Sequence, residues 1–512
     1  MRDTEVLIVG AGPTGLVLAL WLTRLGVRVR IVDKTAQPGT TSRALAVHAR
    51  TLEWYRQIGL AADVVARGRR MASINLWANG ARVAHAELGD IGAGISAFPF
   101  VLIFAQDEHE RVLIARLHDA GVDVERETEV VAFAEVAGRV RASVKGPDGT
   151  METCHADYIA GCDGAHSVVR QTLDIGFPGG TYEHLFYVAD VDARGAAMNG
   201  ELHAALDETD FLAVFPLKGD GRARLVGIAR AGANHQHDDL SWEDVSTRVI
   251  RWMHINVERV HWFSTYRVHH RVADQFRKGR AFLLGDAAHI HSPVGGQGMN
   301  TGIGDAVNLA WKLAAVLRGR ADASILNSYE PERIGFARRL VATTDQAFAG
   351  VTSDDWIARR IRLNVVPLVV PLVFRFRITR RFMFRTVSQT AINYRGSSLS
   401  EGAAGAVHGG DRLPWVAPSP NGSDNFAPLT SLDWQVHVYG DASREMLAVC
   451  KERSLALHVF PWREECRRAG LVRDAAYLVR PDGHIGLAEP QARVEALTNY
   501  LDARKLTHDM GN

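Results

Sequence analysis

The sequence predicts an α/β fold: a βαβ nucleotide-binding start, a mostly antiparallel sheet inserted into it, and a separate α/β unit at the end. Three observations carry that prediction. A glycine fingerprint stands between a strand and a helix near the N-terminus. From about Glu183 to Phe263 the texture changes to short alternating or aromatic runs. A stretch rich in Gly, Ser and Ala, Gly396 to Gly410, precedes the C-terminal segment.

Glu5 to Val9 reads as a buried strand and Pro13 to Leu25 as the helix after it. Pro13 suits a first-turn position, where its missing N–H costs nothing, and Leu16, Ala19, Leu20 and Thr23 recur at helical spacing. Arg28 to Val32 is the next strand, ending on Asp33. Between strand and helix lies Gly10-Ala11-Gly12-Pro13-Thr14-Gly15. Its glycines permit a tight turn, close backbone approach to a pyrophosphate, and close packing of helix on strand. The helix N-terminus then offers unpaired N–H groups and a positive dipole end to phosphates. Asp33 is placed to accept a ribose hydroxyl, with Lys34 beside it. Because strand, motif, helix, strand and acid come in order, the segment predicts dinucleotide binding. Gly92-Ala93-Gly94-Ile95-Ser96-Ala97 has the same spacing but runs into Phe98-Pro99-Phe100, where no helix can start, and reads as a loop. One fingerprint remains, and with it no separate domain for a nicotinamide nucleotide.

Further along, Ser42 to Gly59 reads as a loop leading into a helix and Glu110 to Ala120 as another helix. The central segment carries runs such as Phe211-Leu212-Ala213-Val214-Phe215, broken by turns such as Lys218 to Arg222. Ala281 to Leu284 is a strand. Ile303 to Leu317 is a helix with Ala306, Leu309, Ala310, Leu313 and Leu317 on one face. The expected division is residues 1–182 with 264–395 as one discontinuous domain, 183–263 as the inserted sheet, 396–410 as a linker and 411–512 as the last domain. Strands in that last domain are expected near Trp434 to Tyr439, Leu455 to Phe460 and Ala476 to Val479.

Composition narrows the function classes. A chain of 512 residues accommodates roughly three domains of about 150 residues. Lys+Arg 59 against Asp+Glu 58 leaves a formal charge of +1, which gives no general pull toward nucleic acid. The four cysteines, Cys154, Cys162, Cys450 and Cys466, form no CxxC and no metal-ligand spacing, and point to a reducing cytoplasm. His289 and His291 lack a third ligand at metal spacing, so no metal site is expected. Val6 to Leu22 is apolar but carries the fingerprint glycines, and Leu363 to Phe374 is short and broken by Pro367 and Pro371. Neither reads as a transmembrane segment. Arginines flank the second stretch, which reads as a packed helix pair or a dimer contact, with peripheral contact to an anionic surface as the lesser alternative.

A second glycine-rich region carries the chemistry. Gly285-Asp286 ends a strand, where an aspartate can grip a sugar-like hydroxyl. The loop from Pro293 to Thr301 feeds into the helix at Ile303, and five glycines lie from Gly295 to Gly304. N–H groups and a positive helix end there favour negative charge on whatever lies against them. A reduced flavin anion is such a group. Between the two glycine regions stands Asp163-Gly164-Ala165-His166-Ser167-Val168-Val169-Arg170.

Together these segments resemble the FAD-dependent aromatic hydroxylases typified by para-hydroxybenzoate hydroxylase. Gly279 to His289 looks like the family's second FAD motif, whose aspartate, here Asp286, binds the ribityl chain. Asp163-Gly164 with Ser167 and Arg170 looks like its third motif, associated with both FAD and nicotinamide nucleotide. Ser42-Arg43 matches the loop whose arginine reaches the pyrophosphate, and Gln106 matches a glutamine beside the FAD. Pro293 with Gly296, Gly298, Met299 and Asn300 matches the segment over the flavin ring; Arg43 and Pro293 are the flavin-positioning candidates. Asp305-Ala306 through Trp311-Lys312-Leu313 and Tyr329 to Arg333 continue the match, which covers about residues 4 to 345. Asp33 departs from the pattern, since many relatives carry glutamate there, yet it still reaches a ribose.

The resemblance implies an NAD(P)H-consuming monooxygenase in which dioxygen adds to the reduced flavin, giving a 4a-hydroperoxyflavin that hydroxylates a phenolic or polyketide-type ring. Baeyer–Villiger oxygenation is the alternative on the same scaffold, and a binding protein that kept the fold is the alternative of another class. Phe186, Phe211, Phe215 and Trp262, in the inserted sheet, are the substrate-pocket candidates. Gly409 to Pro414 and Tyr477 to Gly483 look like the thioredoxin-like C-terminal domain of the phenol and polyketide hydroxylase branch, without that domain's dithiol motif. No acid or base residue is identified, and a homodimer is the family-level expectation.

Overall fold

A computed structural model describes residues 2–39, 44–206, 211–229, 240–245, 247–292, 296–352, 360, 365, 369, 376–419 and 422–506. Arg43, Pro293 and nearly all of the Leu363 to Phe374 stretch lie outside the described residues. Among those described, no helix is long and apolar enough to cross a membrane.

The nucleotide core is a six-stranded sheet in the order Arg277–Lys278, Ala281–Leu283, Tyr158–Gly161, Val6–Val9, Val29–Val32 and Val124–Glu125. All but the first edge strand run parallel. Strands buried on both faces need continuous apolar runs, and Val6–Val9 supplies one with all four residues buried. The fingerprint helix, Pro13–Arg24, packs against the long helix Gly298–Leu317 and the helix Gln106–Asp119, so Gly15 to Leu22 are buried all round. A four-stranded sheet (Arg2–Asp3, Met151–Ala156, Arg139–Lys145, Glu129–Val136) adds Val130, Val140, Ala142 and Val144 to the same core. The long helix starts at Gly298, five residues before the expected Ile303, which puts Gly298, Met299 and Asn300 in its first turn and not in a loop.

The inserted sheet is larger than the expected 183–263. Its eight strands run in the order His289–Ile290, Ile255–Val272, Gly179–Gly195, Arg222–Ala229, Phe211–Pro216, Leu202–Leu206, Ser73–Ala78 and Ala81–Glu87. Two causes enlarge it. The ladder between the two longest strands continues from Gly179 opposite Arg271 to Gly195 opposite Ile255, past both boundaries. A hairpin from residues 73–87, remote in sequence, joins in parallel through Ile74 and Leu202. Helix Arg248–Trp252 and its neighbours cover one face, where Val249, Ile250 and Met253 pack with Tyr187, Ala189, Leu212 and Leu225.

The expected linker 396–410 is also corrected. Glu401–Ala404 pairs with Leu487 and Ala488, and folds back on Val407–His408. Its glycines serve packing: a Cβ on Gly409 would stand 2.2 Å from the backbone N of Glu401. These strands edge a sheet continuing through Ile485–Glu489, Ala476–Val479, Gln435–Tyr439 and Ala456–Phe460. The unit is not separate in its packing. Leu432, Trp434, Val436 and Val438 belong to the core of the nucleotide domain, and Trp434 meets Trp311 edge-on at 5.6 Å.

Buried charge completes that seam. Arg480 donates to both oxygens of Glu332, at 2.8 and 3.0 Å, and to Asp482 Oδ2 at 2.7 Å. Lys312 Nζ donates to Glu332 Oε2 at 2.7 Å. Burial alone would raise the Glu332 carboxyl, but Arg480 and Lys312 outweigh it and hold it below the usual range. Burial draws Lys312 down to about 8. Removing one member of such a group strands the others without water. Arg480→Met is therefore expected to cost about 3–5 kcal/mol, read as a lowered denaturant midpoint with unchanged slope.

Asp305, Glu332 and Asp482 all have depressed folded-state pKa values. A depressed carboxyl contributes stability above its unfolded pKa and loses it on acidification. Stability is expected to fall as pH drops through about 4 and below, and an acid titration of the unfolding free energy checks it.

Candidate flavin and substrate site

Three motifs leave the carboxyl ends of three adjacent parallel strands. Val9 leads into Gly10, Gly161 into Cys162-Asp163, and Leu283 into Leu284-Gly285. Open α/β sheets bind ligands in the crevice at those ends. The turns are pressed together there. A Cβ on Gly10, whose φ is +100°, would lie 2.4 Å from Cys162 O, and one on Gly302 would lie 2.3 Å from Thr14 Oγ1. By contrast, a Cβ on Gly12 or Gly164 meets no atom within 4 Å, and one on Gly298 meets nothing closer than 3.7 Å. Protein therefore seals the back of the crevice and leaves its mouth open.

The polar groups at the mouth suit a dinucleotide. Asp33 Oδ2 accepts the Ala11 N–H at 2.7 Å and Oδ1 accepts from Thr35, so the carboxylate is fixed beside the fingerprint turn. Lys34 is exposed next to it. Asp163 Oδ2 accepts the Val168 and Val169 N–H groups at 2.7 and 3.3 Å. Its Oδ1 is buried with no partner among the described residues, and burial raises the carboxyl above its ordinary range. Asp286 is exposed on the turn Gly285–Ala287. Among the described residues no side chain caps the Gly298–Leu317 helix and no acid stands in its first turn, so the N–H groups there keep their pull on an anion. An orphaned acceptor, an open glycine mouth and an uncapped helix end together fit FAD.

Other predicted residues have protein partners of their own. The Asn300 amide is saturated: Oδ1 accepts from His48 N and Thr51 Oγ1, and Nδ2 donates to Ala46 O and Gly296 O. Arg170 is buried, donates to the carbonyls of Ala287 and Ala165, and lies 3.9 Å over the Phe177 ring. It ties the third motif to the second. Gln106 donates to Glu110 Oε1 at 2.8 Å and accepts from Ala44 N. Gly296, at φ +61°, presses on Ala46, and Met299 is half-buried against the core.

The group that fixes the second motif is one that the sequence had shown only as part of the continuing family match. Asp305 is fully buried. Its Oδ2 accepts the Gly285 N–H at 3.0 Å and lies 2.7 Å from His289 Nε2, while Oδ1 accepts from Arg333 Nε at 2.6 Å. The signal was present in the helix itself, where Asp305, Asn308 and Lys312 recur at helical spacing among apolar residues.

The pocket candidates share one side of the inserted sheet. The register sets Phe186 and Tyr266 across from each other, Phe186 beside Ile228, and Phe215 and Asp190 on either side of Arg224. Trp262 stands opposite Asp190. Phe186, Phe211, Phe215 and Trp262 therefore point away from the helix-covered face. Phe186 packs with Ile228, Val268, Phe211 and Tyr266, and Phe215 with Leu45, Met71 and Ile103 of the nucleotide domain.

The FAD binding domain family matches residues 3–344. The chain belongs to that family of FAD-dependent aromatic hydroxylases. It is similar to 6-methylpretetramide 4-monooxygenase of Streptomyces rimosus, at 35% identity over 98% of this chain and 94% of that one. It is also similar to pentachlorophenol 4-monooxygenase of Sphingobium chlorophenolicum, at 34% identity over 82% and 77%. Among solved structures it resembles OxyS anhydrotetracycline hydroxylase from Streptomyces rimosus, with a TM-score of 0.77 and 27% identity over 98% and 99% of the two chains. The chain is an FAD-dependent aromatic monooxygenase.

Two substitutions test the cradle. A Cβ at Gly298 meets only an ordinary contact, and an acid suits a helix N-terminus, so Gly298→Asp should not destabilise the apoprotein, yet it puts a charge where the flavin is expected to approach the helix end. Asp286→Ala removes one acceptor for a neutral hydroxyl, worth about 0.5–1.5 kcal/mol. A flavin titration should show the larger loss of FAD affinity for Gly298→Asp.

Proposed function

We propose that the chain hydroxylates a phenolic or polyketide-type aromatic ring, consuming NAD(P)H and dioxygen. The convergence of three motifs at the ends of adjacent strands, next to the sheet face that bears Phe186, Phe211, Phe215, Trp262 and Tyr266, carries this reading. Relatives named for a pretetramide and for a chlorinated phenol support the substrate class. FAD supplies the redox chemistry and the activation of dioxygen.

The protein's part is binding, orientation and exclusion of water. Gly10, Gly12, Pro13, Thr14 and Gly15 with Asp33 hold the nucleotide half in this reading, Asp163 and Asp286 the linking chain, and Gly298 to Asn300 the ring. Apolar packing around Phe186 and Phe215 closes the sheet side, where a dry site strengthens every fixed dipole. With one nucleotide fingerprint in the chain, the nicotinamide nucleotide visits the flavin transiently. We read the C-terminal unit as thioredoxin-like, because the strand order Ile485–Glu489, Ala476–Val479, Gln435–Tyr439, Ala456–Phe460 has only its last pair parallel. Burial pushes the Cys450 thiol up to about 11, which suits packing better than thiolate chemistry. A cytoplasmic homodimer is the accompanying expectation, tested by light scattering.

A screen of phenols and polyketide-like aromatics for stimulated NAD(P)H oxidation, followed by mass spectrometry for one added oxygen, tests the activity. Substrate is expected to gate flavin reduction, because a ligand that favours the accessible flavin position shifts that equilibrium. Stopped-flow reduction should be faster with the aromatic substrate bound; equal rates would rule gating out.

A further inference from the structure

His291 stands where the inserted sheet hands the chain to the glycine cradle. It follows the strand His289–Ile290, the edge of that sheet, which pairs with Val272 and Arg271. On its other side lies Gly298, where an added Cβ would be 3.7 Å from Nε2. The ring's hydrogen bonding fixes its tautomer. Nδ1 lies 2.8 Å from Ser292 O, and a carbonyl only accepts, so Nδ1 carries the hydrogen. In the neutral ring Nε2 is then a bare lone pair. That atom is buried and has no partner among the described residues. A buried acceptor without a donor is costly unless a ligand supplies one.

We propose that His291 Nε2 accepts a hydrogen bond from the hydroxyl of the aromatic substrate and so orients its ring between the aromatic sheet face and the glycine cradle. This rests on the hydroxylase reading of the site. Burial, with His289 nearby, outweighs the Ser292 carbonyl and draws the imidazole down to about 4, so the ring is neutral across the working range. Such a ring is far too weak a base to take the proton of a phenol, whose pKa is about 10. Its contribution is orientation and selection: a hydroxylated ring satisfies Nε2, and the same ring without a donor leaves it unpaired. A site built to bond a hydroxyl rejects the analogue lacking one by this mechanism.

The test compares binding of 2-naphthol and 2-methoxynaphthalene to the FAD-loaded enzyme. Wild type is expected to prefer the naphthol by about tenfold, the value of one buried hydrogen bond. His291→Phe keeps an aromatic ring without the acceptor and should bring the preference to within about twofold, while His291→Gln, whose carbonyl reaches the Nε2 position, should restore part of it. FAD titrations should be alike for all three proteins. A wild type without the preference, or a Phe variant that retains it, overturns the proposal. So does a Phe variant that loses FAD affinity while keeping the preference, since Nε2 would then serve a flavin N–H. Should the naphthol preference depend on His291 while no phenol gains oxygen, the hydroxylase reading fails and this contact stands.

Discussion

The Asp305 carboxylate is the point on which the site's geometry depends. It sits in the interior, and its two oxygens hold the Gly285 N–H, His289 and Arg333. A charge this deep persists only when every lone pair is used and a counter-charge is at hand. Arg333 supplies that charge and spends its other donors on Thr301 O and Tyr394 Oη. One buried anion thus fixes the second motif, the first turns of the long helix and the chain leading to the C-terminal unit. Burial would raise its carboxyl, and Arg333 and His289 outweigh that effect.

The C-terminal unit reaches the same network by another route. The segment Arg480 to His484 enters the nucleotide domain, where Asp482 O accepts from Arg50 and Trp54, Asp482 Oδ2 from Trp311, and Pro481 O from Gln57. Arg412 adds a paired contact to Glu53, which also holds Arg50. Glu332, gripped by Arg480, neighbours Arg333 in sequence, so the seam and the counter-charge of Asp305 share the helix Tyr329–Thr352. Such a seam gives the unit a structural task in setting the crevice.

The inserted sheet divides its labour by face. Alternation along each strand sends Tyr187, Leu212 and Leu225 under the helix-covered side and Phe186, Phe211 and Phe215 to the side facing the nucleotide domain. Arg224, buried and paired with Asp190 at 2.5 and 2.7 Å, puts a charged pair on that second side, with its guanidinium 5.5 Å over the Trp262 ring. Its pairing lets the face stay dry while keeping a polar group beside the aromatic ones.

The βαβ start and the dinucleotide crevice were legible in the sequence because each rests on local rules, whereas the flavin followed from the family resemblance of the motifs. Glycine spacing, helix periodicity and apolar runs act over a few residues and survive any tertiary context. Gly10, Gly302 and Gly409 sit where neighbouring backbone or a hydroxyl forbids a side chain, though only their packing separates them from glycines facing open space such as Gly12. Tertiary structure alone decided the rest. Strand partners are chosen by long-range pairing, which carries no mark in local sequence, so the hairpin 73–87 joined a sheet expected to begin at 183, and residues 401–408 became strands. The fate of polar groups is likewise settled by neighbours from afar: the Asn300 side chain was claimed by residues 46–51, Asp305 by Gly285 and Arg333, and His291 Nε2 was left without a partner among the described residues.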